Sequence, residues 1–413
     1  MRNFVTVKYL LRKMAFHVIP HIRIRRITSE SGFHFFGYYD KSPWDASERW
    51  ILGLEVPFMD RQPEASDEAT VGMVDTANND AWVPLARTRA WNWQQGCMLQ
   101  WLGASEEIIF NDRRGGAFIS RVLNTRTGRE RVLERPVYGV SRDGRKAVTL
   151  NFARLHHQRP GYGYAGIADP WEDVAEPEED GIYGMDLETG ASRLIISIAQ
   201  IAGFERQINF AGCVHRFNHL QFSPDGRRFA FLHRYRNEAE RGGHTRFFTA
   251  TPDGGVLHCL SSEMVSHYDW KGNDTLIAWA ERHPQGCHYF LFRDQSEEVE
   301  TVGEGLFNRD GHCSVSPDGR WMLTDSYPDA NGQRPLLLFD WKYRLRYDIG
   351  RFDSLPLESP LRCDLHPRWS RDGGRVCIDS THEGERQMYA LDLHRFFQLT
   401  LNQKKIYSTR LHQ

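Results

Sequence analysis

The stretch HCSVSPDGRWMLTD, residues 312–325, decides the fold. A polar Ser-Pro-Asp-Gly turn separates two short runs of β-forming residues, as an antiparallel hairpin requires. The unit recurs as FSPDGRRFAFL at 222–232 and WSRDGGRVCID at 369–379. Looser copies are KSPWDASERWILG at 41–53, WLGASEEIIF at 101–110, VSRDGRKAVTL at 140–150 and WKGNDTLIAW at 270–279. Outer turns come next as LNTRTG at 123–128, MDLETG at 185–190, TATPDG at 249–254 and ALDLH at 390–394. Counted by first hairpin there are seven units, beginning near 38, 98, 137, 219, 267, 312 and 366. A spacing of about 40–55 residues is the length of a four-stranded blade, and only the third unit is longer. The expected fold is all-β: a seven-bladed β-propeller of four-stranded antiparallel blades, one domain over 31–400. A basic arm at 1–30 and a tail at 401–413 flank it, and the first and last blades are candidates to close the ring by sharing strands.

Composition narrows the function classes. The 413 residues are 40% apolar and 26% charged, enough to bury a sizeable core. A formal net charge of −2 provides no basic field for nucleic acid. Seven scattered cysteines with no C-x-x-C pair imply neither a disulfide framework nor a zinc knuckle, and fit a reducing compartment. The N-terminal MRNFVTVKYLLRKMAFHVIPHIRIRRIT interrupts its apolar runs with Lys and Arg and has no small-residue cleavage site. It reads as neither secretory signal nor transmembrane helix, so the expected location is cytoplasmic. The arm itself reads as a packing segment or as an amphipathic helix making peripheral membrane contact.

Aligning the repeats on the turn serine, or its equivalent, brings four histidines into register. His219 lies four residues before Ser223, His267 four before Lys271, His312 four before Ser316 and His366 four before Ser370. Tyr38, Met98 and Val137 hold that position in the other blades. The position starts the innermost strand, so the four imidazoles should converge on one side of the central funnel. Repeat-specific packing is the competing account, most of all for His219. Asp364 lies two residues before His366 and shares its strand face. With His312 of the neighbouring blade these form a ligand set for a divalent metal, leaving His267 for acid–base work.

Blade three carries an insertion, LHHQRPGYGYAGIADPWEDVAEPEEDG at 155–181, too polar for core and rich in aromatics. Arg154, His156, Tyr162 and Tyr164 in and beside it are candidate substrate contacts, with an exposed loop pair as the competing account of His156 and His157. At the blade-one rim, HFFGYYDKSPW (34–44) offers His34, Tyr38 and Tyr39, which suit either stacking on a sugar ring or packing against the closing blade.

The set NHLQFSPDG, SHYDW, DGHCSVSPDG and DLHPRWSRDG resembles the oligogalacturonate lyase family of polysaccharide lyases, most clearly over 215–395. The resemblance implies a seven-bladed propeller that splits a uronic-acid oligosaccharide by β-elimination. It implies a manganese-type ion at His312 and His366, with Asp364 standing where the family has another histidine and no Gln matching the amide ligand. It further implies His267 as the base, with Arg246 as the nearby arginine and Arg234 and Arg236 as rivals. A looser likeness, of residue types only, is to propeller ulvan lyases and rhamnose–glucuronate-cleaving propellers, which work without metal through His, Tyr and Arg; Arg154, His156, His157, Tyr162 and Tyr164 suit that scheme.

Three readings stay open. One is a lyase acting on a uronate-containing oligosaccharide or polysaccharide, such as a capsule or exopolysaccharide. Another is a non-catalytic propeller binding glycan or protein in polysaccharide assembly, since fold alone does not settle function. The third, a glycoside hydrolase or glycan-transfer enzyme, needs a carboxylate pair, for which Asp40, Asp310 and Asp364 are candidates.

Overall fold

The computed structural model describes residues 22–28, 32–205, 210–237 and 243–400. Seven four-stranded antiparallel sheets form a ring of blades, as the repeat requires. The inner strands of blades two, three, six and seven are pairs, such as Ser314–Val315 and Arg368–Trp369, whereas that of blade four runs ten residues, Cys213–Phe222. Blade seven is completed by Arg23–Arg26, which pairs along Gln387–Asp392. The stretch read as an arm therefore contributes an outermost strand, and closure by shared strands is what the chain adopts. Its residues 1–21, and the tail at 401–413, lie outside the described residues. Among the described residues no helix is long and apolar enough to cross a membrane.

The turn chemistry repeats as the sequence does. In blade four the Ser223 hydroxyl donates to Asp225 at 2.8 Å and accepts from the backbone N of Arg228 at 3.0 Å, and Gly226 takes φ 67°. The same three-part turn is built by Ser141, Ser316 and Ser370. Gly is needed at its corner because only a residue without Cβ adopts positive φ at no cost.

Two further register positions stitch blade to blade. The Trp immediately before the turn residue donates its indole N–H to the preceding blade: Trp101 to Pro43 O at 2.9 Å, Trp270 to Gln221 O at 3.2 Å. A polar residue of the second strand reaches forward. Asn111 exchanges hydrogen bonds with the backbone of Val137, Asp325 accepts from His366 N, and Asp379 accepts from Phe36 N and Gly37 N. These bonds satisfy backbone groups that the short inner strands leave unpaired. Between the sheets lie continuous apolar clusters, the largest running across blades two to four.

The blade-three insertion starts with a helix, Phe152–Gln158, capped by the Asn151 side chain. Arg154 organises the remainder of the loop. Its guanidinium pairs with Asp169 and donates to the carbonyls of Trp171, Val174, Ala175 and His215. The residues after the helix cross towards blades two and seven. Asn92 donates to the carbonyls of Tyr162 and Gly163, Gly161 abuts Pro360, and Arg362 reaches the Tyr162 hydroxyl. The insertion is thus a strap tying blade three to the opposite side of the ring.

Candidate functional site

Three of the four registered histidines meet directly, and His219 joins them through Tyr38 and Tyr39. His267 and His312 have ring centroids 4.1 Å apart, and His312 and His366 4.3 Å. Tyr38 lies 5.0 Å from His219 and 5.1 Å from His366, and Tyr39 lies 5.3 Å from His312. All six rings are buried, His267 being the most exposed at 7%. The register position itself is unusual. His219, His366 and Met98 all take positive φ there (59°, 43° and 55°), a conformation costly for residues with a Cβ. On the turn side of this cluster the channel widens into a cavity of about 410 Å³, bounded by Tyr39, Asp40, Lys41, Gln221 and Asp269 among others.

His267 is held from blade six. Its Nδ1 lies 3.0 Å from Asp310 Oδ1 and 3.1 Å from Ser266 Oγ, and the Ser266 hydroxyl donates to Asp310 Oδ2 at 2.6 Å. Burial pushes the imidazole's pKa down, Asp310 opposes this, and the net shift is downward. A downward shift favours the uncharged ring.

His312 is held differently. Its Nδ1 lies 2.8 Å from Asp325, leaving Nε2 for a ligand. Burial disfavours charge on this ring, but Asp325 outweighs it and the pKa is raised, while Asp325, despite its own burial, is held at about 2. His312, Asp364 and His366 offer ligand atoms that lie within 4.8 Å of one another. Two imidazoles and one carboxylate fit a divalent first-row cation. A carboxylate behind a ligating histidine is the usual orienting partner. His366 Nε2 is buried with no hydrogen-bond partner among the described residues, an atom that a cation would satisfy. Asp364 is shared with two guanidinium groups: Arg334 Nη1 lies 2.6 Å from Oδ1 and Arg362 Nε donates to Oδ2 at 2.7 Å.

The arginine beside His267 is Arg234, not Arg246. Arg246 sits opposite His233 on the other face of blade four, where its guanidinium donates to the carbonyls of Ile201 and Phe204 and so caps the helix Ile198–Gly203. Arg234 donates to Ser266 O, one residue from His267, and pairs across the strands with Arg216. Burial and then Arg234, Arg159, Arg236 and Arg154 push Arg216 down to about 9, and its Nη1 is buried with no partner among the described residues. A crowd of guanidinium groups such as this favours an anion.

Other candidate residues are placed elsewhere or packed. His34 lies between blades one and seven, against Trp82 and near Gln387, away from the funnel. Arg154 clamps the insertion, and Tyr164 is core, stacked 4.4 Å from Phe152 with its hydroxyl accepting from Asn111. His219 stacks on Tyr268 at 4.3 Å with Nε2 3.1 Å from the Tyr39 hydroxyl, which is itself tied to the Tyr268 backbone. His156 is half-buried under the strap beside Gly163, with burial lowering its pKa, and His157 is exposed near Glu172. Tyr162 does face the cluster's rim: its hydroxyl accepts from Arg362 at 3.3 Å and its ring lies 5.1 Å from Arg159. Asp325, Arg334, Arg362 and Tyr327, which lies 6.2 Å from His312, join the site without having been singled out from sequence.

Comparison with family models and with curated proteins returns no match. Among solved structures, the chain is similar to the oligogalacturonate lyase of Vibrio parahaemolyticus, with a TM-score of 0.64 and 14% identity over 90% of this chain and 94% of that one. It is equally similar to an oligogalacturonate lyase in complex with manganese, with a TM-score of 0.65 and 15% identity over 90% and 93%. The tricorn protease matches 89% of this chain and 35% of its own, with a TM-score of 0.52 and 13% identity. At such identities the likeness carries architecture: this chain is a seven-bladed propeller built as the oligogalacturonate lyases are.

Proposed function

We propose that the protein is a lyase that cleaves a uronic-acid-containing oligosaccharide by β-elimination, with His267 as the base. The observation that carries this reading is one chamber holding an uncharged imidazole, a two-histidine, one-carboxylate cluster and an arginine from blade four. The proton beside a uronate carboxylate is too weakly acidic for a free imidazole to remove. Positive charge placed on that carboxylate stabilises the enolate-like charge that develops as the proton leaves. Arg234 and Arg216 supply fixed positive charge from blade four. His312, Asp364 and His366 would hold a manganese-type cation, which when bound would add charge at the same carboxylate.

The proton passes to His267 Nε2, its electron pair becomes the new ring double bond, and the bond to the departing sugar oxygen breaks. The imidazolium then returns a proton to that oxygen or to water, so the reaction consumes no hydrolytic water. Ultraviolet absorbance of the unsaturated uronate product tests this directly. Purified protein mixed with uronate oligosaccharides should produce a rising signal, faster with manganese added than with it chelated away. A flat trace across the panel, with glycan binding still measurable, would overturn the lyase in favour of a binding propeller.

A further inference from the structure

Asp310 belongs to the loop entering blade six, two residues before His312, yet its carboxylate is spent on blade five. Oδ1 faces His267 Nδ1 at 3.0 Å and Oδ2 accepts from Ser266 at 2.6 Å. An ionised carboxylate only accepts, and the Ser266 proton is committed to Oδ2. The hydrogen between His267 and Asp310 must therefore sit on Nδ1. A neutral imidazole with its proton on Nδ1 has its lone pair on Nε2, and His267 Nε2 makes no hydrogen bond among the described residues. Asp310 is largely covered along with the imidazole and has no arginine or lysine bonded to it among the described residues, so its hydrogen-bonding capacity goes to this pair.

We infer that Asp310, steadied by Ser266, is the positioning residue that fixes His267 in the Nδ1–H tautomer and aims Nε2 at the substrate. This rests on His267 being the base of the proposed elimination. Asp310 acts through His267 and touches no reacting atom. It stays ionised throughout: the substrate proton goes to Nε2, and the Nδ1–H bond to Asp310 only shortens as the ring becomes cationic.

The test uses the full chain with Asp310→Asn, Asp310→Glu and Ser266→Ala, each checked for an unchanged melting temperature. Nitrogen-15 NMR in diamagnetic buffer reads the tautomer of His267 without any substrate. The wild type should show Nδ1 protonated and Nε2 bare. In Asp310→Asn the amide can donate to Nδ1, so the proton should move to Nε2. On uronate oligosaccharides kcat should then fall roughly a hundredfold or more, with KM changed by less than about threefold. Asp310→Glu should recover part of both signals, and Ser266→Ala should give a smaller loss. A wild-type His267 protonated on Nε2, or an Asp310→Asn variant with an unmoved tautomer, would overturn the assignment. Should the wild type prove inactive on every substrate, the lyase reading fails, while the tautomer still decides the role of Asp310.

Discussion

His312 and Asp325 are bound twice over: the Asp325 carboxylate takes both the Nδ1 of His312 and its backbone N at 2.8 Å each. Its other oxygen accepts from the backbone N of His366 at 3.2 Å. One side chain therefore fixes the ring of blade six and the entry of blade seven. Asp325→Ala should lower stability by about 1–3 kcal/mol for each buried donor it leaves unpaired, the His312 and His366 backbone N–H groups above all. Calorimetry should show the lower melting temperature, and manganese binding should weaken with it.

His267→Ala should keep the fold while lowering the melting temperature somewhat, because Asp310 then has only Ser266 as a side-chain partner among the described residues. Elimination should fall at least about a hundredfold, the ordinary contribution of a positioned base. Full activity in this variant would place the base elsewhere, with His156 or Tyr162 next in line.

Arg234 and Arg246 should separate cleanly. Arg234→Ala should raise KM and lower kcat with little change in melting temperature. Arg246→Ala uncaps the helix Ile198–Gly203 and strands two carbonyls, so it should cost about 1–3 kcal/mol of stability and leave KM unchanged. Parallel kinetics and thermal melts distinguish the two patterns.

Removing an imidazole from the cation cluster should be visible without any substrate. In isothermal titration with manganese, His366→Ala should reduce affinity at least about tenfold relative to the wild type. Equal binding in both proteins would remove His366 from the ligand set.

Asp269 gives the channel a pH signature. Burial, only partly offset by bonds from Val315 N, Gln221 and Trp270 N, raises its carboxyl to about 6 from 3.8. A raised acid is stabilising in its protonated form, so its contribution is complete below pH 3.8 and is lost as pH rises through about 6. Up to about 3 kcal/mol is involved. Asp269→Asn should flatten the melting-temperature profile in that window, as pH-dependent thermal melts would show.

Much of this was legible in the residues. The turn serine repeats with its Asp and Gly, so blade count and register follow from local chemistry, and the same register gathers His267, His312 and His366. Asp364 was legible because it lies two residues before His366, although the structure puts both in the loop that precedes the strand Arg368–Trp369. Asp310 stands at the same spacing before His312, yet it serves His267 one blade away; spacing along one segment says nothing of a partner in the next blade. The choice between Arg234 and Arg246 was hidden for another reason. They lie on facing strands one register step apart, and which face looks into the funnel depends on the twist of blade four. The insertion's role was unreadable because Arg154 works through four carbonyls, and backbone acceptors leave no mark in a sequence.

The pairing of Arg23–Arg26 with Gln387–Asp392 has a consequence for how the protein is made. While the ribosome is still translating blades one to six, the first strand has nothing to pair with. The flank of blade one that takes Met388 against Gly53 lies bare as well. Until the last sheet emerges, the nascent chain carries an unpaired edge of the kind that recruits other chains. Its vulnerability to aggregation should therefore peak just before the seventh blade is made, and this is the interval in which a chaperone would matter most.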